Sequence, residues 1–213
     1  MNKIIIINAS PRKKWNTAQM CESFAKGAKE AGAEVRTINL YDVDFKGCRS
    51  CFACKMKNGK NFGRCAFPDG LTAILDEISQ SDGLLLATPI YFGDVTGVMR
   101  SFYERLVFPF YQYIADGESL APKKLKTAVI YTMNCPQDWA QKLYTHVFDN
   151  FEAPIEKVFS KPERICSFDT YQFTDYDKYV CEIFDKNEKL KHHETQFPKD
   201  LEVAYQSGLR MAK

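Results

Sequence analysis

The chain has 213 residues, of which 45% are hydrophobic and 26% charged, a composition typical of one globular domain with a sizeable core. Its formal net charge of +2 gives no reason to expect nucleic acid or an anionic membrane as a partner. The sequence shows no apolar stretch of membrane-spanning length and no secretion signal, so its eight cysteines favour a reducing compartment. We therefore expect a single domain over residues 1–213, in the cytoplasm.

The first predicted element is a strand at residues 4–7, where four isoleucines in a row indicate burial on both faces. A polar loop follows, and apolar spacing then predicts a helix over residues 17–31 that ends at Gly32. Such a loop directs backbone N–H groups and the positive end of a helix at one point, which suits a phosphate. Four side chains add donors: Ser10, Arg12, Asn16 and Thr17. The alternative is an ordinary loop in which Asn or Thr caps the helix.

Neither a G-x-G-x-x-G nor a G-x-x-x-x-G-K-S/T pattern follows this strand, which argues against a dinucleotide fold and a P-loop. Further strands are predicted at residues 34–40, 83–88, 127–132 and 163–168. Helices are predicted after Gly70, after a Thr96 cap, within residues 139–150 and from Pro198 onwards. Residues 169–199 form a less regular extension, with some helical spacing over 176–184.

Five strands that alternate with helices predict an α/β fold, a parallel sheet covered on both faces. Short right-handed connections favour a doubly wound sheet with the strand order 2-1-3-4-5, in which strands one, three and four are neighbours. Ligands bind beyond the carboxyl ends of such strands. Polar or aromatic loops follow these three strands, at residues 10–17, 89–94 and 132–134. One flat ligand would touch all three loops, with its phosphate at the first.

Two motifs carry a family resemblance: Ser10-Pro11-Arg12 with Asn16-Thr17, and Pro89-Ile90-Tyr91-Phe92-Gly93. Together with a cysteine-bearing loop after strand two, they make the chain similar to the flavodoxin-like NAD(P)H-dependent FMN reductase family, in the branch similar to iron–sulfur flavoproteins. The resemblance covers roughly the first 135 residues well and the remainder loosely.

The resemblance implies a non-covalently bound FMN that passes hydride or electrons from NAD(P)H to a small acceptor such as a quinone, a flavin or another electrophile. The phosphate would be held by Ser10, Arg12, Asn16, Thr17 and Ala18. The flavin ring would lie along Pro89, Ile90, Tyr91, Phe92 and Gly93, with a third wall formed by Thr132, Met133 and Asn134. No side-chain acid or base is required, so no catalytic residue is nominated. An electron carrier and a non-catalytic metal-binding module are the alternatives.

The cysteine loop spans residues 46–65 and contains Cys48, Cys51, Cys54 and Cys65. Two gaps of two residues place three thiols well for one metal centre, and a fourth completes a set. In the iron–sulfur branch a compact run of four cysteines binds a [4Fe–4S] cluster, but the last gap here is longer. A loop without metal, a cluster and a zinc site stay open as alternatives.

The same loop carries six cations and no acidic residue: Lys46, Arg49, Lys55, Lys57, Lys60 and Arg64. We expect these cations to lower the thiol pKa values or to attract the phosphates of NADPH. Residues 102–113 are rich in aromatic side chains, and part of this cluster is expected at a subunit interface. The resemblance implies a homodimer or homotetramer.

Overall fold

The computed structural model describes residues 1–114 and 117–213. The strands are β1 (Lys3–Asn8), β2 (Glu34–Asn39), β3 (Gly83–Tyr91), β4 (Asp94–Val95), β5 (Lys126–Thr132) and β6 (Glu163–Ser167). The helices are α1 (Asn16–Glu30), α2 (Leu71–Ser79), α3 (Gly97–Val107), α4 (Gln137–Leu143), α5 (Thr145–Val158), α6 (Lys186–Thr195) and α7 (Phe197–Ala212).

The long strands form a parallel sheet in the order β2-β1-β3-β5-β6. This confirms the predicted doubly wound order 2-1-3-4-5, because β4 is an additional two-residue strand that pairs antiparallel with the end of β3. The order places the carboxyl ends of β1, β3 and β5 side by side. Any ligand at this edge therefore meets the three loops singled out in the sequence.

The residues of β1 explain why the sheet is buried on both sides. Ile5 and Ile7 pack into one apolar cluster with residues of α2, α3 and α5, whereas Ile4 and Ile6 pack into the other with α1 and α7. Successive side chains of a strand point to opposite faces, so four consecutive isoleucines supply both cores. All four are fully buried.

The loop predicted after the third strand is shorter than the sequence indicated. Pro89, Ile90 and Tyr91 continue β3, and a tight turn at Phe92 and Gly93 leads directly into β4. Both turn residues have positive φ, 51° for Phe92 and 81° for Gly93. The turn therefore presents Phe92 to solvent, where its side chain is fully exposed.

The C-terminal third departs most from the predicted elements. Two helices, α4 and α5, replace the one predicted within residues 139–150, and the spacing over 176–184 produces only a 3-10 turn at Tyr176–Lys178. Helix α6 was not predicted because it has no apolar stripe to reveal it. Of the aromatic cluster, Phe102, Tyr103 and Phe110 belong to the core. Within the described residues, no helix is long and apolar enough to cross a membrane.

Candidate functional site

A cavity of about 140 Å³ lies at the carboxyl edge of the sheet, where the ends of β1, β3 and β5 meet. Its lining includes every predicted cofactor residue except Ala18, Phe92 and Gly93: Ser10, Arg12, Asn16, Thr17, Pro89, Ile90, Tyr91, Thr132, Met133 and Asn134. Ala18 is buried in the first turn of α1, while Phe92 and Gly93 form the turn beside the cavity. The three loops therefore converge on one site, as expected.

The first loop presents donors to this cavity. No side chain caps the N-terminus of α1, so its first backbone N–H groups retain the capacity to bind an anion. Ser10 is held in place by hydrogen bonds from its own N–H to Asn8 and from the Arg12 N–H to its Oγ. Arg12 supplies the one formal charge of the lining, which contains no carboxylate among the described residues. This donor set fits a phosphate.

The first and third loops are joined inside the cavity by two hydroxyl groups. Thr17 Oγ1 and Thr132 Oγ1 lie 2.7 Å apart and form a buried hydrogen bond. Both side chains are almost completely inaccessible to solvent, so the pair fixes the start of α1 against the end of β5. The contact therefore holds α1 and β5, which are distant in sequence, together as one wall of the cavity.

Three lining residues were missed by the sequence analysis: Trp15, Thr170 and Gln172. Thr170 and Gln172 follow β6, whose carboxyl end lies beside that of β5. The rule applied to the other strands, that polar residues after a parallel strand mark the ligand edge, would have found them. Trp15 lies within the first loop, and its ring stacks with the Arg12 guanidinium at 3.9 Å.

The segment after β6 closes the end of the cavity that is lined by Arg12, Trp15 and Asn16. The backbone carbonyl of Tyr171 accepts hydrogen bonds from Trp15 Nε1 at 3.0 Å and Asn16 Nδ2 at 2.9 Å. The carbonyl of Gln172 accepts one from Arg12 at 2.8 Å. An arriving phosphate would compete with these carbonyls for the same donors. Burial lowers the pKa of Arg12, although nearby tyrosine hydroxyls oppose that effect.

A second cavity, of about 200 Å³, is lined by all four cysteines of the predicted set, Cys48, Cys51, Cys54 and Cys65. The backbone of Ser50 and Phe52 is left-handed, with φ of 52° and 55°. Both residues lie within the short Cys48–Cys54 segment, whose three cysteines line the same cavity. Left-handed non-glycine residues are costly and cluster at functional sites.

The described residues contain no group of three or more His, Cys, Asp or Glu side chains placed to hold a metal ion. That result weighs against a zinc ion, whose thiolate ligands all lie about 2.3 Å from one centre. The thiolate ligands of an iron–sulfur cluster bind separate irons and therefore lie further apart than the ligands of one ion.

The cations of the loop do not act as expected on Cys54. Burial raises the pKa of this thiol, and neighbouring Lys55 opposes the shift without reversing it. Lys55 itself is turned away from solvent, because its Nζ donates to the backbone carbonyls of Phe108, Pro109 and Tyr111. Arg64 pairs with Asp76. Both cations are thus already engaged with protein acceptors, which leaves fewer cations of the loop to bind the phosphates of NADPH.

The architecture defines a flavodoxin-like α/β protein with a cavity at its strand ends. The sequence model of the NADPH-dependent FMN reductases matches residues 2–154, and the chain belongs to this family.

The curated relatives carry one recurring name. The chain is 34% identical over 103 residues to an iron-sulfur flavoprotein of Archaeoglobus fulgidus, a match that covers 48% of each chain. It is 29% identical over 105 residues to an iron-sulfur flavoprotein of Methanosarcina thermophila, covering 49% of this chain and 52% of that one. The chain thus spans about half the length of the curated relatives it matches.

Solved structures share the fold at low sequence identity. An NAD(P)H:quinone oxidoreductase from Methanothermobacter marburgensis superposes with a TM-score of 0.69 at 14% identity, over 100% of this chain and 98% of that one. An FMN-dependent NADH-azoreductase from Bacillus anthracis, solved with FMN, gives a TM-score of 0.67 at 16% identity over 100% of both chains. These likenesses establish the flavodoxin-like fold.

Proposed function

We propose that this protein is an oxidoreductase that binds FMN in the cavity between β1, β3 and β5. It would accept hydride from NADPH or NADH and reduce a small acceptor such as a quinone, a flavin or another electrophile. The observation that carries the proposal is the convergence of three loops on one cavity, where Arg12 is the one formal charge among the described lining residues. Family membership and an FMN-bound structural relative support it.

The roles of the residues follow from their chemistry. Ser10, Arg12, Asn16 and Thr17, with the uncapped N–H groups of α1, would bind the phosphate. Ala18 would contribute backbone only. Pro89, Ile90 and Tyr91 would line one side of the ring, and Thr132, Met133 and Asn134 the third wall. The bound flavin supplies the hydride chemistry, and the protein supplies position and exclusion of water.

The cavity volume of about 140 Å³ is below the roughly 300 Å³ at which pockets enclose a small ligand. Part of the flavin would therefore extend beyond the cavity, beside the turn that contains Phe92 and Gly93. Tyr91 is 44% exposed and Phe92 fully exposed, so both offer aromatic surface there. Burial, with help from Tyr41, raises the pKa of Tyr91, so its hydroxyl stays a neutral donor at physiological pH.

The proposal is tested by anaerobic oxidation of NADPH and NADH with FMN and three acceptors: a benzoquinone, free flavin and an azo dye. Arg12→Ala is expected to raise the FMN concentration for half-maximal rate about tenfold, the effect of losing a charge-assisted hydrogen bond of about 1.5 kcal/mol. Arg36→Ala is the matched control, because Arg36 lies on β2 and pairs with Glu77 on the surface. No FMN-dependent oxidation with any acceptor would refute the proposal.

A second candidate function is that of an iron–sulfur flavoprotein electron carrier, with a [4Fe–4S] cluster held by Cys48, Cys51, Cys54 and Cys65. The four-thiol cavity favours it. Anaerobic reconstitution should then yield about four irons and matching sulfide per chain, with brown absorbance. Cys51→Ser should reduce the iron content, whereas Cys21→Ser should not, because Cys21 is a buried residue of α1 outside the cysteine loop. A protein without iron and without brown absorbance would refute the cluster and would leave the proposed FMN-dependent oxidoreductase without one.

The assembly and its compartment are further proposals. All eight cysteines are free thiols, which supports the cytoplasm as the working environment. A homodimer or homotetramer is supported by exposed apolar side chains, including Phe92 in the turn beside the cavity and Trp139 on α4. Sedimentation of the FMN-loaded protein measures the assembly directly, and a monomer would contradict it.

A further inference from the structure

Helix α6 is an unusual element because its one fully buried residue is a lysine. Its one apolar aliphatic residue, Leu190, is exposed, and Lys189 alone is placed in the interior, with 2% of its surface exposed. A cation is costly to bury unless it is paired and hydrogen-bonded. The contacts of Lys189 therefore indicate what this helix contributes to the protein.

All three N–H groups of the Lys189 ammonium have acceptors. Nζ donates to the backbone carbonyl of Asn134 at 2.8 Å, to Asn134 Oδ1 and to the carboxylate of Asp169. It also lies 4.1 Å from the centre of the Phe184 ring. Burial lowers the pKa of Lys189, and the Asp169 carboxylate opposes that shift. The ammonium is thus held by both the backbone and the side chain of one residue of the third wall.

These contacts fix the orientation of the Asn134 amide. Its Oδ1 accepts from Lys189, so its Nδ2 must face the other way, where it donates to Gln172 Oε1 at 2.8 Å. Asn134 and Gln172 both line the candidate flavin cavity. Lys189 does not line it, and acts on the cavity through Asn134.

We propose that Lys189 is a positioning residue for the flavin site: it fixes Asn134 in the third wall and places a buried positive charge behind that wall. The inference rests on the proposed FMN binding. Bound FMN would accept a hydride, one proton and two electrons, from the nicotinamide and would gain one negative charge, with NAD(P)⁺ as the other product. Lys189 neutralises the Asp169 carboxylate, and without the ammonium that carboxylate would lose this partner and repel the added charge. Charges interact more strongly in a partly buried site than in water, and Lys189 therefore favours the reduced form.

The test compares Lys189→Met, which removes charge and donors, with Lys189→Arg, which retains both. Lys191→Met is the matched control, since Lys191 is an exposed lysine of the same helix. The dissociation constants of oxidised and reduced FMN are measured for each protein. Lys189→Met is expected to weaken binding of reduced relative to oxidised FMN about tenfold, which lowers the two-electron potential by about 30 mV. Lys189→Arg should recover most of this ratio, and Lys191→Met should match the wild type.

A second readout needs no flavin. Amide hydrogen exchange of the apoprotein should become faster in Lys189→Met at residues 133–135 and in α6, because their shared anchor is lost. Should that variant not fold by circular dichroism, Lys189→Gln, which keeps an amide donor without the charge, takes its place in both measurements.

The outcomes separate this inference from the proposed function. A wild type that binds FMN, together with a folded Lys189→Met whose binding ratio is unchanged, would overturn the electrostatic role of Lys189 and leave the flavin site intact. Unchanged hydrogen exchange would overturn its positioning of Asn134. A wild type that binds no FMN would refute the proposed function, and the electrostatic role with it, while the exchange measurement still decides the positioning role.

Discussion

At the scale of single residues, the most constrained charge in the thiol region is Arg105. This α3 residue is 2% exposed and donates to the Phe67 carbonyl at 2.8 Å, the Lys46 carbonyl at 3.1 Å and Cys65 Sγ at 3.3 Å. It also pairs with Asp69. One guanidinium therefore ties both ends of the cysteine loop to the core, so the loop geometry depends on a buried ion pair.

The Arg105–Asp69 ion pair predicts that Asp69→Asn lowers the free energy of unfolding by an amount that depends on pH. Burial raises the pKa of Asp69, but hydrogen bonds from Arg105 and from the N–H groups of Leu71 and Lys46 outweigh it, so the net pKa is lowered. A lowered pKa contributes stability above the unfolded value of about 4, and this is lost as pH falls through the folded value. We expect Asp69→Asn to lower the free energy of unfolding by roughly 1–3 kcal/mol at about pH 7 and by less at about pH 3. Urea unfolding at the two pH values measures this difference.

The control for this variant is Asp76→Asn, which breaks the exposed pair with Arg64. Surface pairs contribute about 0–1 kcal/mol, so its cost should be small at both pH values. If Asp69→Asn lowers the free energy of unfolding equally at both pH values, the charge of Asp69 is not what stabilises Arg105.

Individual site residues differ in how far sequence alone could reveal them. Ser10 and Thr17 follow β1, and Thr132 is the last residue of β5, so the rule for strand ends finds them. Gln172 follows a strand that was predicted, but the rule was not extended to it. Lys189 could not be found, because its role depends on a long-range contact with Asn134 across 55 residues of sequence, and an isolated lysine in a polar segment indicates only a solvated helix.

At the scale of elements, helices α1 and α7 pack in direct backbone contact. Gly27 of α1 lies against the Tyr205 carbonyl of α7, and Gly208 of α7 lies against the Phe24 carbonyl of α1. A Cβ atom at either glycine would overlap a backbone carbonyl oxygen. Two reciprocal glycines thus allow the helices to cross in backbone contact beside β1, where Phe24 and Ala204 are completely buried.

Gly208→Ala is expected to destabilise the protein by roughly 1–3 kcal/mol, because the helices must separate to admit the methyl group. Gly97→Ala is the matched control. Gly97 is a helical glycine at the start of α3, where an added Cβ meets nothing within 4 Å, so alanine should be neutral or slightly stabilising. Thermal unfolding of both variants measures the difference. Equal melting temperatures would contradict the close crossing.

Elements with a strong apolar period were predicted well, and those without one were not. The four isoleucines of β1 and the spacing of α1 gave positions close to those observed. Helix α6 was missed because it is anchored by Lys189 instead of an apolar stripe. β4 was missed because two residues are too few for a period, and only the glycine at position 93 marked the turn before it.

At the scale of the whole molecule, the strand order is what creates the candidate site. With β1 between β2 and β3, and β3 between β1 and β5, three loops distant in sequence share one edge of the sheet. The extension after β6 then adds Thr170 and Gln172 to the same cavity. The sequence predicted the order and the three loops, but not the closure by a fourth segment, because that closure depends on backbone carbonyls of Tyr171 and Gln172.

The central claim is that this edge binds FMN through its phosphate, and a direct titration tests it. Apoprotein is titrated with FMN and, separately, with riboflavin, which has the same ring but no phosphate, and flavin fluorescence is followed. We predict one FMN bound per chain, and riboflavin bound at least tenfold more weakly, because the uncapped α1 N-terminus and Arg12 would contribute at least about 1.4 kcal/mol to phosphate binding. Absence of FMN binding, or equal affinity for both flavins, would contradict the account.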